Sequence, residues 1–308
     1  MYTDYFGFRE LPFSIAPDPK YLYLSPQHEE ALAHLLYGAS EQGGFVLLTG
    51  EVGTGKTTVV RSLLHRLRSR DDVRLAFVIN PRQSVKELLQ SICDEFRIEW
   101  QAKHRSKDLI DLINRRLLDH HAQGCQSLLI IDEAQNLSIE VLEQLRLLTN
   151  LETDSKKLLQ LVLVGQPELL DLLDRNELRQ LNQRVTARYH LKALSAQEVP
   201  AYLEHRLQVA GGRHFLFTRA ALKQIYRYSG GVPRLINVIC DRVLLGLYAG
   251  GMAHASADMV RKAAGEVLPR GFHQPSFWSL QGRPGYWLIL SMSASIGIVA
   301  LLNQRGVL

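Results

Sequence analysis

Cysteine is scarce in this sequence, and what there is forms no pattern. Cys93, Cys125 and Cys240 are far apart, odd in number and in no C-x-x-C pair. That excludes a disulfide framework and a thiolate metal site, and predicts small buried side chains in a reducing compartment. Nothing in the first residues reads as a secretory leader either. Met1 to Glu10 carries Asp4, Arg9 and Glu10 and no apolar core, so the bulk of the chain is expected to stay in the cytoplasm. No strong excess of one charge is present: the net charge of +5 is spread along the chain. The densest basic stretch, Arg61 to Arg70, reads as a solvated helix face and lacks a base-reading motif. With 308 residues, 46 % of them hydrophobic and 22 % charged, the chain has room for two domains or one large one.

Against these absences stands one complete motif. Gly50-Glu51-Val52-Gly53-Thr54-Gly55-Lys56-Thr57 satisfies G-x-x-x-x-G-K-[ST] at every fixed position. The apolar run Phe45 to Leu48 precedes it as a buried strand. Val59, Val60, Leu63, Leu64 and Leu67 follow at helical spacing. Glycines at a strand-to-helix turn let backbone N–H groups curl around a triphosphate, and the helix N-terminus adds positive potential. Lys56 is expected to reach the β- and γ-phosphates, Thr57 to bind Mg²⁺, and Thr58 to meet the α-phosphate.

A second stretch supplies the partner chemistry. Leu128-Leu129-Ile130-Ile131-Asp132-Glu133 is four apolar residues followed by two carboxylates, the Walker B pattern. The run reads as a buried parallel strand, and its C-terminal end is where open α/β sheets bind ligands. Asp132 is expected to hold Mg²⁺ and Glu133 to act as general base on the attacking water. The Val73 to Ile79 run predicts a strand between the two motifs. Leu158 to Val164 predicts another, ending at Gly165-Gln166, where Gln166 is a candidate γ-phosphate sensor or else a turn-initiating amide. Leu169 to Leu181 reads as one helix. Arg184, just before a last strand, sits where an arginine finger acting on a neighbouring subunit would lie; Arg188 is the second choice, and a surface ion pair the plainer reading.

The flanks read differently. Tyr5 to Ser14, followed by Pro17 and Pro19, is aromatic and proline-marked and predicts an extended segment, either covering an adenine or simply packing. Ser25-Pro26 caps a helix to about Ala39. From Ser195 the pattern turns all-helical, with helices near 195–210, 218–228, 233–248 and 256–267. Within it Gly230-Gly231-Val232-Pro233-Arg234 puts Arg234 in a first helical turn, as a second sensor pointing at the γ-phosphate. Arg270 to Pro284 reads as a linker. Tyr286 to Leu302 carries no charge and would span about 25 Å as a helix, the short end of the membrane-spanning range. The Tyr286-Trp287 pair suits an interface, and Arg270 and Arg283 place the near side in the cytoplasm. A buried helix is the alternative.

Together these motifs resemble the AAA+ ATPases. Tyr5-Phe6-Gly7-Phe8, Leu11-Pro12-Phe13-Ser14-Ile15-Ala16-Pro17, the P-loop and Gly231-Val232-Pro233-Arg234-Leu235-Ile236-Asn237 resemble the general secretion pathway protein A family over about residues 1–268. A looser similarity extends to pilus and transposition ATPases of the same branch. The resemblance implies an inner-membrane ATPase that uses ATP and Mg²⁺, forms homo-oligomeric rings and works with a B-type partner to assemble a type II secretion secretin. Longer family members carry a periplasmic peptidoglycan-binding region not represented in these 308 residues. Gln166 also departs from the Asn or Thr usual at that AAA+ position.

The expected fold is therefore α/β: a P-loop parallel sheet with helices on both faces, a small all-helical lid and a C-terminal membrane helix. The expected divisions are 1–40, 41–194, 195–268, 269–285 and 286–302. The rival functions are a DNA-associated targeting ATPase of the transposition type and a nucleotide-gated scaffold with negligible turnover.

Overall fold

The computed structural model describes residues 2–16, 18–40, 45–79, 83–153, 157–212 and 214–268. Residues up to Val267 form one compact unit. In chain order the elements are α1 (Tyr2–Phe6), α2 (Pro26–Ser40), β1 (Phe45–Gly50), α3 (Lys56–Arg68), β2 (Val73–Val78), α4 (Val85–Glu95), α5 (Ser106–Ala122) and β3 (Gln126–Ile131). There follow α6 (Ile139–Leu148), β4 (Leu159–Gly165), α7 (Glu168–Leu173), α8 (Arg179–Asn182), β5 (Val185–Leu191), α9 (Glu198–Val209), α10 (Arg219–Ser229), α11 (Pro233–Gly250) and α12 (Ala257–Val267).

The five strands form one sheet in the order β2-β3-β4-β1-β5, and every pairing is parallel. Alternate residues of each strand feed two separate cores. Phe45, Leu47, Leu129, Ile131, Leu161 and Leu163 face a layer built by α4 to α8. Val46, Leu48, Leu128, Ile130, Val162 and Val164 face α2 and α3. Both faces are covered, so the central strands carry unbroken apolar runs. This double layer is the expected parallel sheet with helices on both faces. The strand order leaves the C-terminal ends of β1, β3 and β4 side by side, and the crevice of an open α/β sheet forms there.

Local capping accounts for several boundaries. The Ser84 side chain accepts the Glu87 N–H, and the Glu87 carboxylate accepts from Ser84 N–H at 2.8 Å, a reciprocal box that starts α4. At α9, the Glu198 carboxylate takes the Ser195 N–H at 2.7 Å.

Three expectations need correction. The N-terminal segment does not begin extended: Tyr2–Phe6 is a short helix, because no proline interrupts the chain before Pro12. Phe8 N–H closes it on Thr3 O at 2.8 Å. The predicted single helix from Leu169 to Leu181 is broken after Leu173, where Arg175 is extended at φ −66°, ψ 146°. The buried residues Leu169, Leu173, Leu178 and Leu181 explain the break. The five-residue step from Leu173 to Leu178 would rotate the later leucines off the core face of a continuous helix. Finally, Cys93 and Cys240 are buried, but Cys125 is partly exposed.

Among the described residues no helix is long and apolar enough to cross a membrane. The predicted linker and the Tyr286 to Leu302 span lie outside the described residues, which end at Leu268.

Candidate nucleotide site

The end of β1 turns through Gly50 to Gly55 into α3, and a cavity of about 960 Å³ opens beside the turn. Lys56 is the first residue of α3 and is 7 % exposed. Its Nζ donates to Gly50 O at 2.7 Å and to Glu51 O at 3.0 Å, so the ammonium is held inside the curl of the loop. Burial pulls its pKa down, while Glu133 and Asp132 favour the charged form. Thr54 braces the turn from within: its N–H and its hydroxyl both donate to Glu51 O, the hydroxyl at 2.9 Å. Val52, Gly53, Thr57 and Thr58 line the cavity with Lys56.

The carboxylates arrive from β3. Thr57 Oγ1 donates to Asp132 Oδ2 at 3.3 Å, which ties the P-loop helix to the neighbouring strand end. Asp132 is 4 % exposed, and burial first, then the nearby Glu133 charge, raises its pKa. Glu133 follows in the left-handed region at φ 56°, a conformation that costs a non-glycine residue about 1–3 kcal/mol. Its N–H closes on Asp132 Oδ1 at 2.9 Å. This turn aims the Glu133 side chain into the cavity that also holds Lys56, Gln166 and Arg234.

Two amides grip Glu133 at the same oxygen, Oε2: Gln166 Nε2 at 3.3 Å and Gln135 Nε2 at 2.6 Å. The Gln135 carbonyl oxygen in turn accepts the Gln166 N–H at 3.0 Å. Gln135 was not anticipated. It follows Glu133 by two positions, on the short turn Ala134–Asn136, and only the fold brings it against the end of β4.

Arg234 reaches the site from the C-terminal helices. Pro233 starts α11, and the Arg234 N–H donates to Gly53 O at 3.3 Å. The approach is close: a Cβ on Gly53 would lie 2.7 Å from Arg234 Cβ. Arg184 is elsewhere. It does not line the cavity; its guanidinium bonds the Asn150 side chain and reaches Arg146 O at 3.5 Å. Arg188 bonds Asn182 at 2.6 Å.

Two further residues escaped the sequence reading. His28 of α2 lies 3 % exposed under the loop, its Nε2 3.1 Å from Thr54 O. Arg206 of α9 donates through Nε to Pro12 O at 2.6 Å and through Nη2 to Ser14 O at 2.8 Å. Its guanidinium also stacks 4.3 Å from the Tyr21 ring centroid. The N-terminal strap is thus fastened to α9, and its residues Tyr21 to Leu24 form a wall of the cavity. The strap therefore packs on α9 and lines the cavity with the same segment.

The family described as an AAA domain matches residues 39–173. General secretion pathway protein A of Aeromonas hydrophila is 55 % identical over 267 residues, which cover 87 % of this chain and 48 % of that protein. The chain is thus similar to general secretion pathway protein A, with an AAA-domain match inside the similar region. It spans about half the length of that relative. The ATP-dependent target DNA activator B of Escherichia phage Mu is 34 % identical over 110 residues, 36 % of this chain and 32 % of its own. Among solved structures, the Aeropyrum pernix ORC2 protein superposes with a TM-score of 0.62 at 23 % identity, over 83 % of this chain and 71 % of that one. The Thermotoga maritima RuvB branch migration motor does so with a TM-score of 0.54 at 19 % identity, over 80 % and 73 %. These structures carry the fold alone. The AAA-domain match supports an ATP-hydrolysing enzyme.

The residues present also fit a magnesium ion. Thr57 and Asp132 offer a hydroxyl and a carboxylate, hard oxygen donors of the kind that cation takes. A divalent cation would favour the charged Asp132 carboxylate, offsetting the burial that raises its pKa.

Proposed function

We propose that this chain binds ATP and hydrolyses it at the cavity between the P-loop, Glu133 and Arg234, and that the cycle drives an assembly step in the bacterial cell envelope. The observation that carries the chemistry is the convergence of Lys56, Glu133, Gln166 and Arg234 on one cavity from four different elements. The backbone of Gly50 to Gly55 cradles the phosphates, Lys56 meets the β- and γ-phosphates, and Thr58 meets the α-phosphate. Glu133 takes the proton from a water that attacks the γ-phosphorus, and ADP and inorganic phosphate leave. Both amide donations fall on Glu133 Oε2, so Oε1 is the oxygen for that proton. Thr57 and Asp132 would hold a magnesium ion, which would supply charge neutralisation on the phosphate oxygens. Gln166 senses the γ-phosphate. Arg234 does so from α11 and passes the change to the helical lid of 195–268. Arg184 lies away from its own cavity and acts on a neighbour's site within a ring.

The envelope role rests on the 55 % identity to general secretion pathway protein A. In this reading the uncharged stretch Tyr286 to Leu302 anchors the chain in the inner membrane, the ATPase unit is cytoplasmic, and a B-type partner links it to secretin or pilus assembly. The similarity to the phage DNA activator favours a second reading, a DNA-associated targeting ATPase. The deciding experiment replaces Glu133 by Gln. The variant should retain ATP and lose hydrolysis; unchanged turnover would overturn the assignment. Fractionating the full chain beside a version ending at Arg270 separates the two roles. Membrane pelleting of the full chain alone supports the anchor. Solubility of both with salt-sensitive duplex binding supports the DNA reading.

A further inference from the structure

We infer that His28 is a positioning residue for the P-loop, holding the Thr54–Gly55 peptide so that the Gly55 N–H is aimed at the phosphate. The argument starts from hydrogen-bond polarity. His28 Nε2 lies 3.1 Å from Thr54 O, and a carbonyl oxygen only accepts, so Nε2 carries the proton and donates. His28 Nδ1 lies 2.7 Å from Ser25 Oγ. In a neutral ring whose proton sits on Nε2, Nδ1 accepts, and the Ser25 hydroxyl donates. Burial keeps the ring neutral by pulling its pKa down. Ser25 precedes Pro26 at the start of α2, so the first turn of that helix sets the tautomer.

The consequence follows from peptide geometry. The peptide is planar and trans, so its C=O and N–H point in opposite directions. With Thr54 O turned toward α2, the Gly55 N–H is turned away from α2, into the hollow of the loop. Gly55 itself has φ 104°, and a Cβ there would lie 2.7 Å from His28 Nε2. The imidazole therefore fills the space a side chain would take and fixes the one peptide orientation that the flexible glycine leaves open. Lys56, the next residue, inherits that orientation as the start of α3. Neither a packing role nor a helix cap requires an N–H donor at Nε2.

The phosphate part of this inference rests on the ATP-site reading; the tautomer part does not. Two measurements on the full chain separate them. ¹⁵N NMR of the imidazole should show His28 neutral at pH 7 with the proton on Nε2; a proton on Nδ1, or a charged ring, overturns the inference whether or not ATP binds. The second is titration with a fluorescent ATP analogue of His28→Gln, His28→Asn and His28→Ala, with melting temperatures alongside. Gln can place its amide nitrogen near the Nε2 position, whereas Asn is too short. We expect Gln to bind within about threefold of the parent, and Asn and Ala to bind about tenfold more weakly, the worth of one buried donor lost. Equal weakening in all three, or losses that track melting temperature alone, would reduce His28 to a packing residue. If the parent chain binds no nucleotide, hydrogen exchange at the Gly55 amide replaces the titration. Faster exchange in Asn and Ala but not in Gln is expected, and no difference overturns the inference.

Discussion

Gln135 Nε2 donates to Glu133 Oε2 at 2.6 Å, the tightest contact made by any neutral side chain to the proposed general base. The same amide accepts the Gln166 N–H at 3.0 Å, so one side chain ties the end of β3 to the end of β4 across the site. Glu133 sits in the left-handed region and has few ways to stay aimed without help. Gln135→Ala should lower kcat about tenfold, the value of one lost hydrogen bond to a charged group, with ATP affinity within twofold. Gln135→Glu should lower kcat further, because a second carboxylate repels the first. A loss in KM at unchanged kcat would show that the amide serves binding and not the base.

Gly231 makes the closest backbone approach of any described glycine. A Cβ on it would lie 1.8 Å from Leu194 O and 2.9 Å from Leu194 C, and its φ is 79°. The Leu194 N–H also donates to Gly231 O at 3.0 Å, so this is where the last strand's exit meets the loop before α11. No flexible side chain can yield here. Gly231→Ala should destabilise the fold by at least about 3 kcal/mol, among the larger single-residue effects, through overlap and backbone strain together. Urea unfolding measures it. Gly230→Ala beside it meets open space and carries only the cost of its positive φ, about 1 kcal/mol.

The difference between these residues and the P-loop explains what the sequence could reveal. The strands β1 and β3 were legible because both sheet faces are covered, and a strand buried on both sides reads as one apolar run ending at its motif. Arg234 was legible because Pro233 marks a helix start. Gln135, His28 and Arg206 left no such trace. Their partners are a carboxylate, a loop carbonyl and two strap carbonyls, the last lying 194 and 192 positions away along the chain. No periodicity or spacing reports a bond to backbone that distant. The break after Leu173 was hidden for another reason: its leucines keep helical density while losing helical phase.

Arg206 supplies a test of how the strap is held. It is 6 % exposed and donates to Pro12 O and Ser14 O while stacking on Tyr21. Two charge-assisted bonds and a desolvated cation–π contact tie the strap to α9 here. Arg206→Ala should cost about 2–4 kcal/mol, from the lost bonds and the carbonyls left unpaired. Arg206→Lys should recover little, since an ammonium cannot fork to two carbonyls and stack at once. Limited proteolysis should cut the strap between Leu11 and Lys20 faster in both variants. Because Tyr21 to Leu24 wall the cavity, ATP affinity should fall with them. Equal cutting rates in parent and variants would show that the strap's other contacts, among them Arg9 N–H to Ala210 O at 2.8 Å and Tyr23 against Tyr202, hold it without Arg206.

The buried histidines set the pH response of the fold. His120 Nδ1 lies 2.9 Å from Ser127 Oγ between α5 and β3, far from the nucleotide site. Burial first, then Arg116 and Arg74, holds its pKa below the ordinary value. His28 and His205 are lowered in the same way, both by burial first. In the unfolded chain each titrates near about 6.5. Between that value and the lower folded pKa, the unfolded state binds more protons, so stability rises with pH through that window. The contribution of these rings is fully present above about pH 6.5 and is lost as the pH falls through the folded pKa values. Asp132 is raised, by burial first, and acts in the opposite sense. The melting temperature should therefore be level above about pH 7 and fall steadily on acidification toward pH 5. His120→Gln keeps a polar partner for Ser127 without a titrating ring. It should make that fall shallower without abolishing it, because two other histidines remain. An unchanged slope would mean that burial does not lower the His120 pKa in the folded chain.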